Sequence, residues 1–295
     1  MTKYSFDKGE ILLSLCKREG QPISEMMLLR EMEQSELARD VIWEEMRQNL
    51  ATMRQSVQEG LTGELKSVSG LSGGDAAKLY DYADKALCGR RMARCAAASM
   101  AVVEVNASMG KIVAAPTAGA SGILPGVLLE CAAARDWDDE ALIRGLFTAG
   151  AVGMLIAANA SMSGAEGGCQ AETGTAAAMA AAALTELAGG TAEKCLHAAA
   201  IALKNVMGLV CDPVAGLVEC PCIKRNAIGA ANAVLSADLA LSGVKSLIPF
   251  DETVSAMRSV GRLMSPDLRE TARGGVAATP TARAIRKGLG LENGE

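Results

Sequence analysis

Aromatic side chains are nearly missing from this chain: Phe, Trp and Tyr together supply 3% of its 295 residues, although half are hydrophobic. A core must therefore be assembled from Ala, Leu, Val, Ile and Met. Sheets draw on β-branched and aromatic residues, whereas small unbranched ones suit close helix–helix packing. Basic runs are also missing, and the net charge is −5. Nucleic acid is thereby excluded as a main partner, because its phosphates call for clustered Lys and Arg. Histidine occurs once, at His197, and no CxxC pair is present. The N-terminal stretch "MTKYSFDKGEILLSLCKREG" is broken by charges and lacks the continuous apolar centre of a signal peptide. Nine cysteines, an odd number spread along a chain too large to need staples, fit reduced thiols and a cytoplasmic location.

One uncharged run of twenty residues, 146–165, reaches the length of a membrane span. It holds Asn159, hydroxyl side chains and several glycines, and it has neither an aromatic belt nor flanking basic clusters. A buried helix is expected there, and no membrane contact.

What is present divides the chain by composition. Residues 24–60 are rich in charge, with apolar residues at helical spacing (Leu28, Leu29, Met32, Leu37, Val41, Ile42). They predict two amphipathic helices, or one broken helix, on the outside of the core. Residues 60–75, "GLTGELKSVSGLSGGD", read as a Gly/Ser-rich connection. From residue 76 the chain turns to Ala, Gly and Met, with helices over residues 175–187 and 191–207. No alternating strand pattern of useful length occurs. The expected fold is all-α: peripheral helices and connection over 1–75, then a helical catalytic region over 76–295, continuous with them.

Three cysteines sit where a helix is expected to begin. Cys169 follows Gly167 and Gly168, Cys211 precedes Asp212 and Pro213, and Cys222 follows Pro221. A helix N-terminus lowers a thiol's pKa and favours an anionic metal–thiolate centre. Soft thiolates without histidine partners point to Fe–S or zinc. Position alone supports equally a second reading, in which these are small hydrophobes in a core.

The motifs "GKIVAAPTAGASGILPGVL", "SGAEGGCQAETG", "GLVCDPVAGLVECPCIKRNAIGA" and "DLRETARGGVAATPT" occur in this order. Together they resemble the alpha chain of iron–sulfur-dependent L-serine dehydratase, from about residue 90 to residue 282 and more loosely over the N-terminal helices. The resemblance implies an all-helical module with a [4Fe–4S] cluster on Cys169, Cys211 and Cys222, Cys220 lying off the pattern. It implies a lyase converting L-serine to pyruvate and ammonia, with an iron free of cysteine polarising the substrate hydroxyl. It also implies a beta chain as partner. Single-chain relatives carry, ahead of this module, a domain with histidine and serine motifs, and end in a cysteine that covers the open iron. This sequence ends "LGLENGE".

Within the matched motifs, Thr117, Gly119, Ser121 and Gly122 are candidate substrate contacts: glycines admit backbone N–H groups to a carboxylate, and the hydroxyls add donors. Lys111 and Arg225 are nearby cations, Arg225 suiting either a carboxylate ligand or a structural ion pair. Glu166 and Glu172 flank Cys169, and each suits either the substrate ammonium or a helix cap. His197 lies outside the motifs, so the base is expected on the partner. A related lyase such as an L-cysteine desulfidase, and a non-catalytic Fe–S or zinc scaffold, are the competing readings.

Overall fold

A computed structural model describes residues 3–291, and among these residues there are thirteen α-helices and no β-strand. In chain order they are α1 (Gly9–Glu19), α2 (Ile23–Ser35), α3 (Arg39–Gly60), α4 (Asp75–Tyr82), α5 (Arg90–Ala107), α6 (Ile123–Arg135) and α7 (Asp139–Asn159). There follow α8 (Gly164–Gly167), α9 (Cys169–Leu187), α10 (Ala192–Asn205), α11 (Cys222–Leu241), α12 (Phe250–Leu263) and α13 (Pro280–Gly288). The all-α expectation holds. So does the break between two N-terminal helices, which falls at Glu36, in the left-handed region.

α9 occupies the centre, packed by α7, α10, α11 and α6. Every residue in it is buried except Glu172, Glu186 and Leu187, which are half-buried. A helix enclosed on all sides needs short side chains wherever a neighbour crosses, and "TAAAMAAAA" supplies them while keeping high helix propensity. A second group gathers on α5, which touches α3, α4, α6 and α11. There glycines bring backbones together. A Cβ at Gly126 of α6 would lie 2.3 Å from Ser99 Oγ and 2.5 Å from its backbone nitrogen, and one at Gly60 of α3 would lie 2.3 Å from the Ala101 carbonyl.

The N-terminal helices share this core. Leu12, Ile23, Met26, Leu28, Leu50 and Met53 belong to the same apolar cluster as Phe147, Leu155 and the alanines of α9. Leu37 and Val41, assigned to the apolar face by spacing, are exposed: Leu37 sits in the connection between α2 and α3, and Val41 in the first turn of α3. α7 is, by length and composition, the one helix among the described residues able to cross a membrane, and 72% of its most apolar window is buried inside the protein.

Several helix N-termini are closed from a distance. Lys8, Pro22 and Gly74, the residues preceding α1, α2 and α4, supply no side-chain cap. Asp251 of α12 accepts the Gly9 and Glu10 N–H groups, Glu186 of α9 those of Ile23 and Ser24, and Glu104 of α5 those of Gly74, Asp75 and Ala76. Each carboxylate meets unpaired donors at the positive end of a helix dipole. Burial still raises the pKa of Glu104 above the usual range, although its three backbone donors pull the other way. The Gly/Ser connection is held similarly, with Ser69 donating to Glu219 at 2.6 Å and Ser72 donating to its other oxygen.

Gly126→Ala is expected to destabilise the chain by about 1–3 kcal/mol, since its methyl group meets the α5 backbone and cannot be accommodated by a side-chain shift. Gly288→Ala, with nothing within 4 Å of the new atom, should change stability by less than about 1 kcal/mol. Urea unfolding of the two variants checks the contrast.

Candidate functional site

Cys169 is the first residue of α9 and Cys222 the first of α11, as their flanking Gly-Gly and Pro suggest. Cys211 is not at a helix start. Asp212 and Pro213 lead into a single 3-10 turn, Val214–Gly216, with Ala215 left-handed. Instead Cys211 lies in an extended segment bridged to Arg269: its N–H donates to the Leu268 carbonyl at 2.8 Å, and Glu270 N–H donates to the Cys211 carbonyl at 2.7 Å. The motif "DLRETARGG" therefore holds Cys211 by backbone pairing, a long-range contact no local signal announces.

Two side chains fix the cysteine segments to one another. The Gln170 amide donates to the carbonyls of Gly167 and Met257 and accepts the Gly208 N–H, and its own N–H donates to the Leu209 carbonyl. Arg225 of α11 donates to the Val210 carbonyl at 2.8 Å and pairs with Asp212 at 2.8 Å. Asp212 in turn accepts the Val276 N–H at 2.7 Å. Gly275 permits that approach: it has φ +60°, and a Cβ there would lie 2.1 Å from the Asp212 carboxylate. Arg225 is thus bound into the structure on two sides.

At the centre, the Cys169 and Cys211 sulfurs and a Glu172 carboxylate oxygen lie within 4.8 Å of one another. Glu172 is one turn along α9 from Cys169, so both project from the same face. Cys222 stands outside this tight group but within its electrostatic reach: burial, reinforced by Cys169 and Glu172, pushes its thiol up to about 12. The hydrogen bond between Cys169 and Cys211 lowers the pKa of Cys169 and raises that of Cys211. Burial acts against the Cys169 thiolate, and the Arg225 guanidinium supports it. Glu172 is held above the usual carboxylate range, chiefly by burial and further by Glu270, with Thr117 acting in the opposite sense.

The Gly-rich segment divides in two. The Thr117 hydroxyl faces Glu172, buried and without a hydrogen bond of full geometry, and a Cβ at Gly119 would stand 3.6 Å from the Glu172 carboxylate. Ser121 and Gly122 are engaged elsewhere. Ser121 is fully buried and donates to the Ala118 carbonyl, while Gly122 gives its N–H to Asn226 and lies against the Ser99 carbonyl. Asn226 also donates to the Gly119 carbonyl at 2.8 Å and the Cys222 carbonyl at 3.0 Å, tying this segment to α11. Lys111 and Cys220 are exposed, and Glu166 is exposed on α8. His197 pairs with Glu193 at 3.6 Å, one turn back on α10.

Gly164 lets the backbone of α8 come close against the sulfurs. A Cβ there would lie 2.9 Å from Cys211 Sγ and 2.6 Å from Glu172 Oε2. A buried pair of thiols, a third close by and a carboxylate form a donor set for a soft metal centre.

Residues 18–277 match the family model described as serine dehydratase alpha chain. The chain belongs to that family. The match begins at the end of α1, so α2 and α3 are part of it. The chain is 50% identical over 278 residues to a protein of Bacillus subtilis named probable L-serine dehydratase, alpha chain, covering 94% of this chain and 92% of that one. It is 45% identical over 278 residues to the L-serine dehydratase, alpha chain, of Peptoniphilus asaccharolyticus, covering 94% and 95%. The L-serine dehydratase of Streptomyces coelicolor is a longer relative, 41% identical over 283 residues, with 93% of this chain aligned to 61% of that protein.

In this member of the serine dehydratase alpha-chain family, sequence reasoning missed the structural duties of Gln170 and Asn226. Their signal was there: uncharged amides inside the cysteine motifs, in a region that offers few other polar partners. Asp212→Asn is expected to cost about 2–5 kcal/mol, because it leaves the Arg225 charge without its partner. Adding Arg225→Gln should cost little more than Asp212→Asn alone. A double-mutant cycle by urea unfolding checks both statements.

Proposed function

We propose that this chain is the catalytic alpha subunit of an L-serine dehydratase, converting L-serine to pyruvate and ammonia, and that Cys169, Cys211 and Cys222 hold a [4Fe–4S] cluster. The observation that carries the reading is the group of buried Cys169 and Cys211 with half-buried Glu172, Cys222 lying close to it, in a chain of this family. The donor set supports it: three thiols reach one region from three segments, with a carboxylate among them. When bound, such a centre supplies a Lewis acid that eases loss of a hydroxyl group.

The chain's own residues prepare the rest. Glu172, half-buried with raised proton affinity, gains by pairing with a cation, and it holds the substrate ammonium. Thr117 and Gly119 face the same carboxylate and orient the amino acid beside it. Ser121 and Gly122 act only through the fold, holding that segment to α5 and α11. Arg225 keeps the Cys211 segment in place and supports the Cys169 thiolate. His197 stands on α10 beside Glu193 and is not among the residues grouped with Cys169 and Cys211. The group that takes the α-proton therefore comes from a beta chain docked at the centre's mouth, with Ala114 and Ala118 among the exposed positions beside it.

Cys169→Ser, Cys211→Ser and Cys222→Ser should each lose the iron of anaerobically reconstituted protein, and Cys220→Ser should keep it. Full occupancy in the Cys211 variant would contradict the assignment.

With the beta chain present, Glu172→Gln should lower kcat/KM by about 10- to 100-fold at unchanged iron content, as expected for one charge-assisted contact. Iron lost in step with activity would make Glu172 a ligand instead. In the same assay, His197→Ala should retain activity, and the alpha chain alone should not turn over L-serine.

A further inference from the structure

A cavity of about 590 Å³ opens between the C-terminal turns of α7 and α12 and residues 266–271. The one-turn helix α8 separates it from the cysteine centre. Gly164 looks toward Cys211 and Glu172, whereas Ala165, Glu166 and Gly167 line the cavity. No cysteine is among its lining residues. Its volume falls within the range of about 300–1,000 Å³ common to small-molecule sites.

The charge of the lining is lopsided. Arg258, Arg262 and Arg269 stand against one carboxylate, Glu166. Arg258 and Arg262 lie one turn apart on α12, where like charges repel, and neither makes an ion pair or hydrogen bond among the described residues. Arg262, in the last turn of α12, offsets the negative end of that helix. Arg258 and Arg269 have no such assignment. Arg269 reaches the Glu166 carbonyl at 3.4 Å, and its Nε is buried without any acceptor. Among the described residues its terminal nitrogens make only that one long contact, which leaves guanidinium N–H groups for an acceptor in the cavity. The Gln170 amide, also in the wall, is committed to Gly167, Met257 and Gly208, which leaves recognition to the arginines.

We infer that this cavity binds a small organic anion through a phosphate or carboxylate group held by Arg258, Arg262 and Arg269. Guanidinium forks match the paired oxygens of either group, and the rest of the volume accommodates the carbon skeleton. The site is separate from the one that handles serine. It nevertheless adjoins that centre's frame, since Arg269 is bridged to Cys211.

The test is calorimetric titration of the full chain at low ionic strength, with inorganic phosphate and with succinate as separate probes. Saturable binding of at least one probe is expected, and the stronger of the two identifies the preferred oxyanion. Replacing both Arg258→Gln and Arg262→Gln should weaken that binding by at least about tenfold while leaving the melting temperature nearly unchanged, both side chains being exposed. The matched control is Arg283→Gln with Lys287→Gln, two exposed cations one turn apart on α13, and it should bind as the unaltered chain does. Absence of saturable binding by either probe overturns the inference. So does unchanged binding in the Arg258/Arg262 variant, or equal weakening in the control.

Discussion

The architecture depends on one constraint: α9 is enclosed on every side. No face of it can carry a long apolar side chain where a neighbouring helix crosses, so its sequence is reduced to Ala, Gly, Thr and a few larger residues at gaps. The scarcity of aromatics follows from the same requirement, because flat bulky rings would hold helix axes apart. Gly60 and Gly126 apply it again around α5, where backbone meets backbone. In return, the first turn of α9 is delivered into the interior. Cys169 is buried there without any extended loop having to carry it.

Charge is handled by the same enclosed framework. The interior admits carboxylates only where the chain provides donors or a cation: backbone N–H groups for Glu104 and Glu186, serine hydroxyls for Glu219, a guanidinium for Asp212. Glu172 is the exception. Its surroundings offer the Thr117 hydroxyl, two thiols and a second acid, Glu270, and among the described residues no side-chain cation pairs with it. A carboxylate left short of partners in an otherwise well-satisfied interior marks the place where something is to be bound.

Much of this was legible in the sequence. The Ala-rich periodic segments announced helices, and the Gly-Gly before Cys169 and the Pro before Cys222 marked real helix starts, because both signals act locally. Cys211 looked alike and was not. Its conformation is set by Leu268 and Glu270, far along the chain, and the Asp-Pro pair beside it is recruited by Arg225 and Val276 instead of opening a helix. The Gly-rich segment was read as one cradle, yet adjacent glycines serve opposite ends: Gly119 faces the centre, and Gly122 faces the backbone of α5. Spacing alone cannot separate those duties, since each depends on which distant helix lies opposite.

The remote caps bear on how the molecule is made. A helix that caps itself has its leading N–H groups met by a neighbouring residue. α1 relies on Asp251, α2 on Glu186 and α4 on Glu104, each supplied by a later segment. During synthesis, then, the leading N–H groups of α1 wait for a residue 242 positions further on before they find their acceptor. α2 waits in the same way for Glu186, 163 residues further on, whereas α4 needs only Glu104, 30 residues away.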